Sequence, residues 1–201
     1  MPSKKSPRSV SALELGAGIV ASVDSEFHAA SDRAFAVLGA AYMDELLEEL
    51  LRATFIEDAE ATERLLGMTG PIGSNGARYN LAYSLALISK EERDDLKTIA
   101  RIRNRFAHEY SAVGFDDDDE VRALVRKMHF VKRRAALQQG LVADAKTREA
   151  AASIASLKAS SRELFRDAII EFLVLVLPRV RDVRRAKVQV WFGSSESDDA
   201  S

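Results

Sequence analysis

The sequence predicts an all-α protein, a single-domain helical bundle of about six to eight helices with at most a short terminal strand. Segments with the 3.6-residue apolar period follow one another along most of the chain. The breaks between them are short and polar, and several carry helix-capping residues. At 201 residues the chain is long enough for one domain with its own core.

Residues 1–8 are polar, basic and Pro-containing and predict a disordered start. The helical domain is expected over residues 9–192. Val10 to Ala30 has helical periodicity, weakened by Gly16 and Gly18. Asp32 to Phe55 carries the clearest pattern. Ser31 or Asp32 can cap it, and Phe35, Leu38, Tyr42, Met43, Leu46, Leu47, Leu50 and Leu51 follow the i, i+3, i+4, i+7 spacing. Asp44, Glu45, Glu48 and Glu49 read as a solvated acidic face. Glu57 to Leu66 is a shorter helix closed by Gly67.

The stretch Gly70–Tyr110 organises the rest. Gly70-Pro71-Ile72-Gly73 is a turn. Gly70, Gly73 and Gly76 do not read as a phosphate loop, because no strand precedes them and no Lys-Ser/Thr follows. Ser74 can cap a helix running through Ala77 to Ile88. Ser89-Lys90-Glu91-Glu92 then reads as a capping box, which makes the pair an αα-hairpin. On the second helix Leu96, Ile99, Ala100, Phe106, Ala107 and Tyr110 share one face, with Arg103 in its middle. A guanidinium there needs a carboxylate, carbonyls or water. The acids on offer are Asp44, Glu45, Glu48, Glu49, Asp94 and Asp95. Arg103 is either a structural arginine tying helices together or part of a polar crevice shared with His108. The pair superficially suggests a DNA-reading helix-turn-helix. The second helix, however, is too long and its apolar stripe too wide to leave a free face for a groove.

Asp116 to Asp119 form a break, and their charge favours the N-terminus of the next helix. Their spacing is wrong for a calcium loop, and no metal site is predicted. Val121 to about Gln139 reads as one helix. Arg122, Arg126, Lys127, Lys132, Arg133 and Arg134 lie on it with no acid between Val121 and Arg134. This run is the candidate nucleic-acid-binding patch, DNA or RNA, or else a solvated face with paired charges. Ala143 to Ala159 is helical by propensity. The last long helix starts at Ser160 or Ser161 and buries Leu164, Phe165, Ala168, Ile169, Phe172, Leu173, Val176 and Leu177. Pro178 is expected to end or kink it. Arg179, Arg181, Arg184, Arg185 and Lys187 form a second basic cluster, opposed by Asp182 alone. Val188 to Phe192 can form a short strand or pack on the bundle. Residues 193–201 predict a disordered acidic tail.

Bulk composition narrows the function classes. Charged residues make up 30% and the net charge is −2, so no global field attracts nucleic acid. The absence of Cys excludes thiol catalysis and disulfides and fits a cytoplasmic location. The most apolar run, Ala168–Leu177, is ten residues with Glu171 inside it, half of the roughly twenty a membrane span needs. No zinc-protease, phosphate-loop or nucleophile-elbow motif is present, and no cofactor is implied.

Arg103-Asn104-Arg105-Phe106-Ala107-His108 resembles the R-N-x-x-x-H signature of the HEPN superfamily of nucleotide-binding helical domains. A longer resemblance covers Ala40–Phe55, Leu65–Ser89 and Ile102–His108. Together these blocks resemble the mannitol operon repressor family. That likeness implies a transcriptional regulator without catalysis, acting through a protein partner rather than a DNA-reading motif. The shorter signature implies the alternative, a metal-independent ribonuclease or RNA-binding protein. There Arg103, Asn104 and His108 would act at a phosphate, usually across a homodimer. The longer match ranks the regulator first. A homodimer is expected from the HEPN likeness and from the broad apolar faces of Asp32–Phe55 and Ser161–Leu177.

Overall fold

The computed structural model describes residues 12–109, 113–143 and 159–193. These form eight helices in one helical domain, with no strand among the described residues. In order they are α1 (Ala12–Ala29), α2 (Asp32–Thr54), α3 (Ala59–Leu66), α4 (Asn75–Ser84), α5 (Lys90–His108), α6 (Asp119–Lys127), α7 (His129–Ala143) and α8 (Ser161–Gly193). The expected segment 1–8, residues 194–201 of the expected tail 193–201, and residues 144–158 of the expected Ala143–Ala159 helix lie outside the described residues, while Gly193 belongs to α8.

Helix α2 is the axis, because its apolar stripe is wide enough to be covered from two sides. Phe35, Met43, Leu46, Leu47, Leu50 and Leu51 are buried, chiefly against α8 and α5. The Ser31 hydroxyl accepts from Ala34 N–H and caps its start. Asp58, Ser74, Ser89 and Asp118 do the same for α3, α4, α5 and α6. The Ser89–Glu92 capping box is present in full.

Several boundaries differ from expectation, each for a physical reason. α4 stops at Ser84 rather than Ile88. Leu87 N–H donates to Ala82 O at 2.9 Å and Ala86 N–H to Tyr83 O at 3.0 Å, the bond pair of a Schellman ending. The left-handed position belongs to Ala86, φ 55°, instead of the usual glycine. That costs about 1 kcal/mol and removes the signal that marks such an end. α5 ends at His108, and Tyr110 lies outside the described residues.

The basic segment expected as one helix is two, broken at Met128 (φ −59°, ψ 139°). The cause is on α5. Asp95, 1% exposed, accepts from the N–H groups of His129 at 2.8 Å and Phe130 at 3.0 Å. A buried carboxylate thus caps α7 across the fold and lets the chain turn. Pro178 does not end the last helix: α8 runs through it to Gly193. Proline frees the carbonyl four residues back, and here Val174 and Pro178 both face solvent, so water can satisfy it. Val188–Phe192 is therefore helical, not a strand.

The second basic cluster is mostly engaged within the fold. Arg179 donates to both carboxylate oxygens of buried Glu92 at 2.9 and 2.8 Å and to Leu87 O at 3.2 Å. Arg184 pairs with Glu49 at 2.7 Å and Arg181 with Asp182 at 3.2 Å. The side chains of Arg185 and Lys187 lie outside those described.

Burial pushes the Glu92 carboxyl up, but the Arg179 guanidinium and the Ser89 N–H outweigh it and hold the group below its ordinary range. A depressed folded value stabilises the protein above the unfolded carboxylate pKa of about 4.3. That contribution is lost as pH falls through the folded value. Urea midpoints of the parent are therefore expected to drop below about pH 4.3 more steeply than those of Glu92→Gln. Equal slopes would show that Glu92 carries no such linkage.

Candidate functional site

The inward side of α2 meets α4 and α5, and these helices enclose a polar cluster. Its centre is Arg78, 7% exposed, whose position beside Tyr79 and four before Ala82 puts it on the buried face of α4. Its guanidinium donates to Asp44 at 3.1 Å, to Leu66 O at 2.8 Å and to Ile72 O at 3.2 Å, and pairs with Glu48 at 2.9 Å. Glu48 also accepts from Arg52, which reaches Glu63 on α3 at 2.8 Å. So Asp44 and Glu48 do not belong to a solvated acidic face. They turn inward because Arg78 is there, while Glu45 stays exposed.

Asp44 is the acid that feels Arg103. Burial pushes its carboxyl above the ordinary range, and the nearby Arg78 and Arg103 charges only partly offset this. Asn75, with its amide nitrogen turned toward the carboxylate, donates to the two Asp44 oxygens at 3.2 and 3.3 Å. The Tyr79 hydroxyl is likewise pushed up by burial. Arg103 itself is half-buried, at the edge of the α5 apolar face rather than its middle. That face is made by Leu96, Ile99, Ile102 and Phe106 with Asp95 and Thr98, while Ala107 is exposed. Arg103 makes no hydrogen bond or ion pair among the described residues and acts on Asp44 and Tyr79 through its field.

Asn104 and His108 are exposed, and His108 is the last residue of α5. Arg103 and His108 are about 140° apart around an ideal helix. Within one chain, then, the Arg103 charge acts on Asp44 and Tyr79, and His108 is exposed at the end of α5. Arg78 was not singled out by the sequence, although an arginine at an apolar helix position was the available signal.

The basic patch divides. Arg122 pairs with Asp119 and donates to Asp116 O at 2.9 Å. Arg133 pairs with Glu171 at 2.9 Å and lies 4.5 Å over the Phe130 ring. Arg134 pairs with Asp167. Arg126, Lys127 and Lys132 are exposed and make no ion pair among the described residues. An open depression of about 700 Å³ at the α4–α5 corner includes Tyr83, Leu87, Glu92 and Arg179, and its two charges neutralise each other. No group of three or more potential metal-ligating side chains forms among the described residues. No described helix is long and apolar enough to cross a membrane.

Comparison with known proteins settles the lineage. The family model described as mannitol repressor, MtlR, matches residues 26–178. The chain belongs to the mannitol repressor family. Curated relatives include the mannitol operon repressors of Escherichia coli strain K12 and of E. coli O6:H1 strain CFT073. Each is 28% identical over 91 residues, 43% of this chain and 47% of the relative. The aligned stretch thus spans about half the length of those relatives. Two solved structures share the fold. The MtlR–HPr complex from E. coli gives a TM-score of 0.52 at 20% identity, covering 83% of this chain and 99% of that one. A possible transcriptional regulator, YggD, from Shigella flexneri 2a strain 2457T gives 0.56 at 16% identity, covering 80% and 96%.

Two outcomes are expected of this site in the repressor-family chain. Arg78→Ala strands Asp44 and Glu48 and lowers stability by about 3–5 kcal/mol, whereas Arg103→Ala costs about 1 kcal/mol or less. Equal losses in urea denaturation would contradict that division. For the patch, three unpaired cations predict that any duplex-DNA affinity falls with salt at a log–log slope of about −3 or shallower. Fluorescence anisotropy across a salt series measures the slope, and a steeper one would mean the paired arginines take part.

Proposed function

We propose that the chain is a cytoplasmic transcriptional regulator of the mannitol operon repressor type that acts through a partner protein. The observation that carries this is the family match across residues 26–178. The partner reading has two supports. A fold neighbour was solved as a complex with HPr, which makes HPr the first partner to try. The hairpin that superficially suggests a DNA-reading element is also packed on most sides: α5 lies against α2, α4, α6 and α7, which leaves it an exposed stripe rather than the free helix that groove reading uses. Nucleic-acid contact, if made, falls to Arg126, Lys127 and Lys132. We include a homodimer in the proposal; the broad apolar faces of α2 and α8 are buried within the chain, so its surface would use exposed side chains such as Val174 and Leu175 of α8.

A nuclease needs Arg103 and His108 at one phosphate. The half-buried Arg103 and exposed His108 of one chain do not supply that, so it would require a second subunit.

The test is calorimetric titration of purified HPr into the full chain, with light scattering for oligomeric state. Saturable binding is expected at micromolar concentration or below, about −8 kcal/mol. RNA incubated with the parent and with His108→Ala is expected to stay intact in both. Cleavage lost in His108→Ala would replace this reading with the nuclease.

A further inference from the structure

The turn between α3 and α4 presents an apolar side chain that no contact within the fold explains. Met68 is 98% exposed, while the backbone carrying it is held tightly. Gly70 N–H donates to Gly67 O at 2.8 Å, Gly73 N–H to Gly70 O at 3.0 Å, and Ile72 N–H to Leu65 O at 2.9 Å. Buried Arg78 reaches in from below to Leu66 O and Ile72 O. A Cβ at Gly70 or Gly73 would lie 2.3 or 2.4 Å from a backbone oxygen, so the two glycines let the turn close this far. Leu65 in the last turn of α3, 39% exposed, and exposed Pro71 stand three residues to either side of the methionine in the chain.

We propose that Met68, with Leu65 and Pro71, is the knob by which this protein docks its regulatory partner. The occupant is a protein with an apolar depression bordered by lysine or arginine. This rests on the partner-mediated reading above. Three features carry it. Methionine is polarizable and adapts its shape to apolar surfaces. The turn is pre-formed, so little ordering entropy is lost on binding. The surroundings carry a net negative charge: Glu57, Asp58, Glu60 and Glu63 are exposed, Glu60 pairs with Arg64 and Glu63 with Arg52, and no lysine occurs between residues 53 and 89. That charge opposes a phosphate backbone and complements a basic rim.

The experiment titrates purified HPr into the full chain, comparing the parent with Met68→Ser, Met68→Leu, Glu57→Lys and Lys97→Glu. Circular dichroism and thermal midpoints serve as fold controls. Met68→Ser is expected to weaken binding about tenfold or more and Glu57→Lys several-fold. Met68→Leu, which keeps the apolar volume, and Lys97→Glu, at an exposed position of α5 outside the knob, are expected to stay within about threefold. Binding should also weaken as salt rises. If the parent binds HPr and Met68→Ser binds equally well, the docking surface is wrong while the partner reading stands. If the folded parent does not bind HPr, both fall.

Discussion

The fold depends on a meeting of phenylalanines that no single helix could assemble. Phe35 on α2 lies 4.5 Å from Phe27 of α1, 5.4 Å from Phe115 and 5.3 Å from Phe165 of α8, centre to centre. Phe115 in turn lies 4.8 Å from Phe106 of α5 and 5.0 Å from Phe165. Offset and edge-on rings at such distances add about 0.5–1.5 kcal/mol per pair to their burial. A polar clasp holds the same corner. Asp32 pairs with Arg162 of α8 and accepts from Phe115 N–H at 2.9 Å. Arg162 also donates to Phe27 O at 2.8 Å and Ala30 O at 2.6 Å. The α1–α2 corner, the segment before α6 and the start of α8 therefore share one apolar centre and one carboxylate.

Acids at helix starts form a second layer of organisation. The four-aspartate run looks like a charged loop, yet its members have separate structural duties. Asp116 accepts from Ser161 N–H at 2.7 Å at the start of α8. Asp118 caps α6 through Val121 N–H at 2.9 Å and accepts from Arg105 at 2.9 Å. The Val121 bond, helped by Arg105, outweighs the burial penalty and holds its carboxyl below the ordinary range. Asp95 caps α7 from α5. Exposed helix-start N–H groups attract carboxylates, and this fold meets that need from distant parts of the chain.

The same distinction explains what could be read beforehand. Local grammar was legible: the Ser89–Glu92 box, the Ser31 and Ser74 caps, the α2 stripe and the overall helical class each follow from residues within a few positions of one another. Nonlocal partners were not. The break at Met128 depends on Asp95, 33 residues earlier. The acids Asp44 and Glu48 turn inward because Arg78 lies on another helix. The end of α4 was hidden because alanine holds a position usually given to glycine. At the candidate site, the wheel placed Arg103 near polar neighbours but overstated its burial, while Arg78, the arginine the core encloses, drew no notice.

The two arginines also differ in what they leave free. The Arg78 guanidinium reaches two carboxylates and two carbonyls, so it has little capacity left for a ligand; removing it would open the turn that carries Met68. Arg103 makes no hydrogen bond among the described residues, and its charge tempers the Asp44 carboxyl that burial has raised. A buried ion pair is weak evidence for stability but good evidence for fixed geometry. Here that geometry is the α3–α4 turn, and its rigidity is what distinguishes Met68 from a stray apolar side chain on a mobile loop. The core thus connects to the surface through one guanidinium: Arg78 fixes the backbone, the backbone fixes Met68, and Glu57 and Asp58 ahead of α3 leave the net negative charge on its approach.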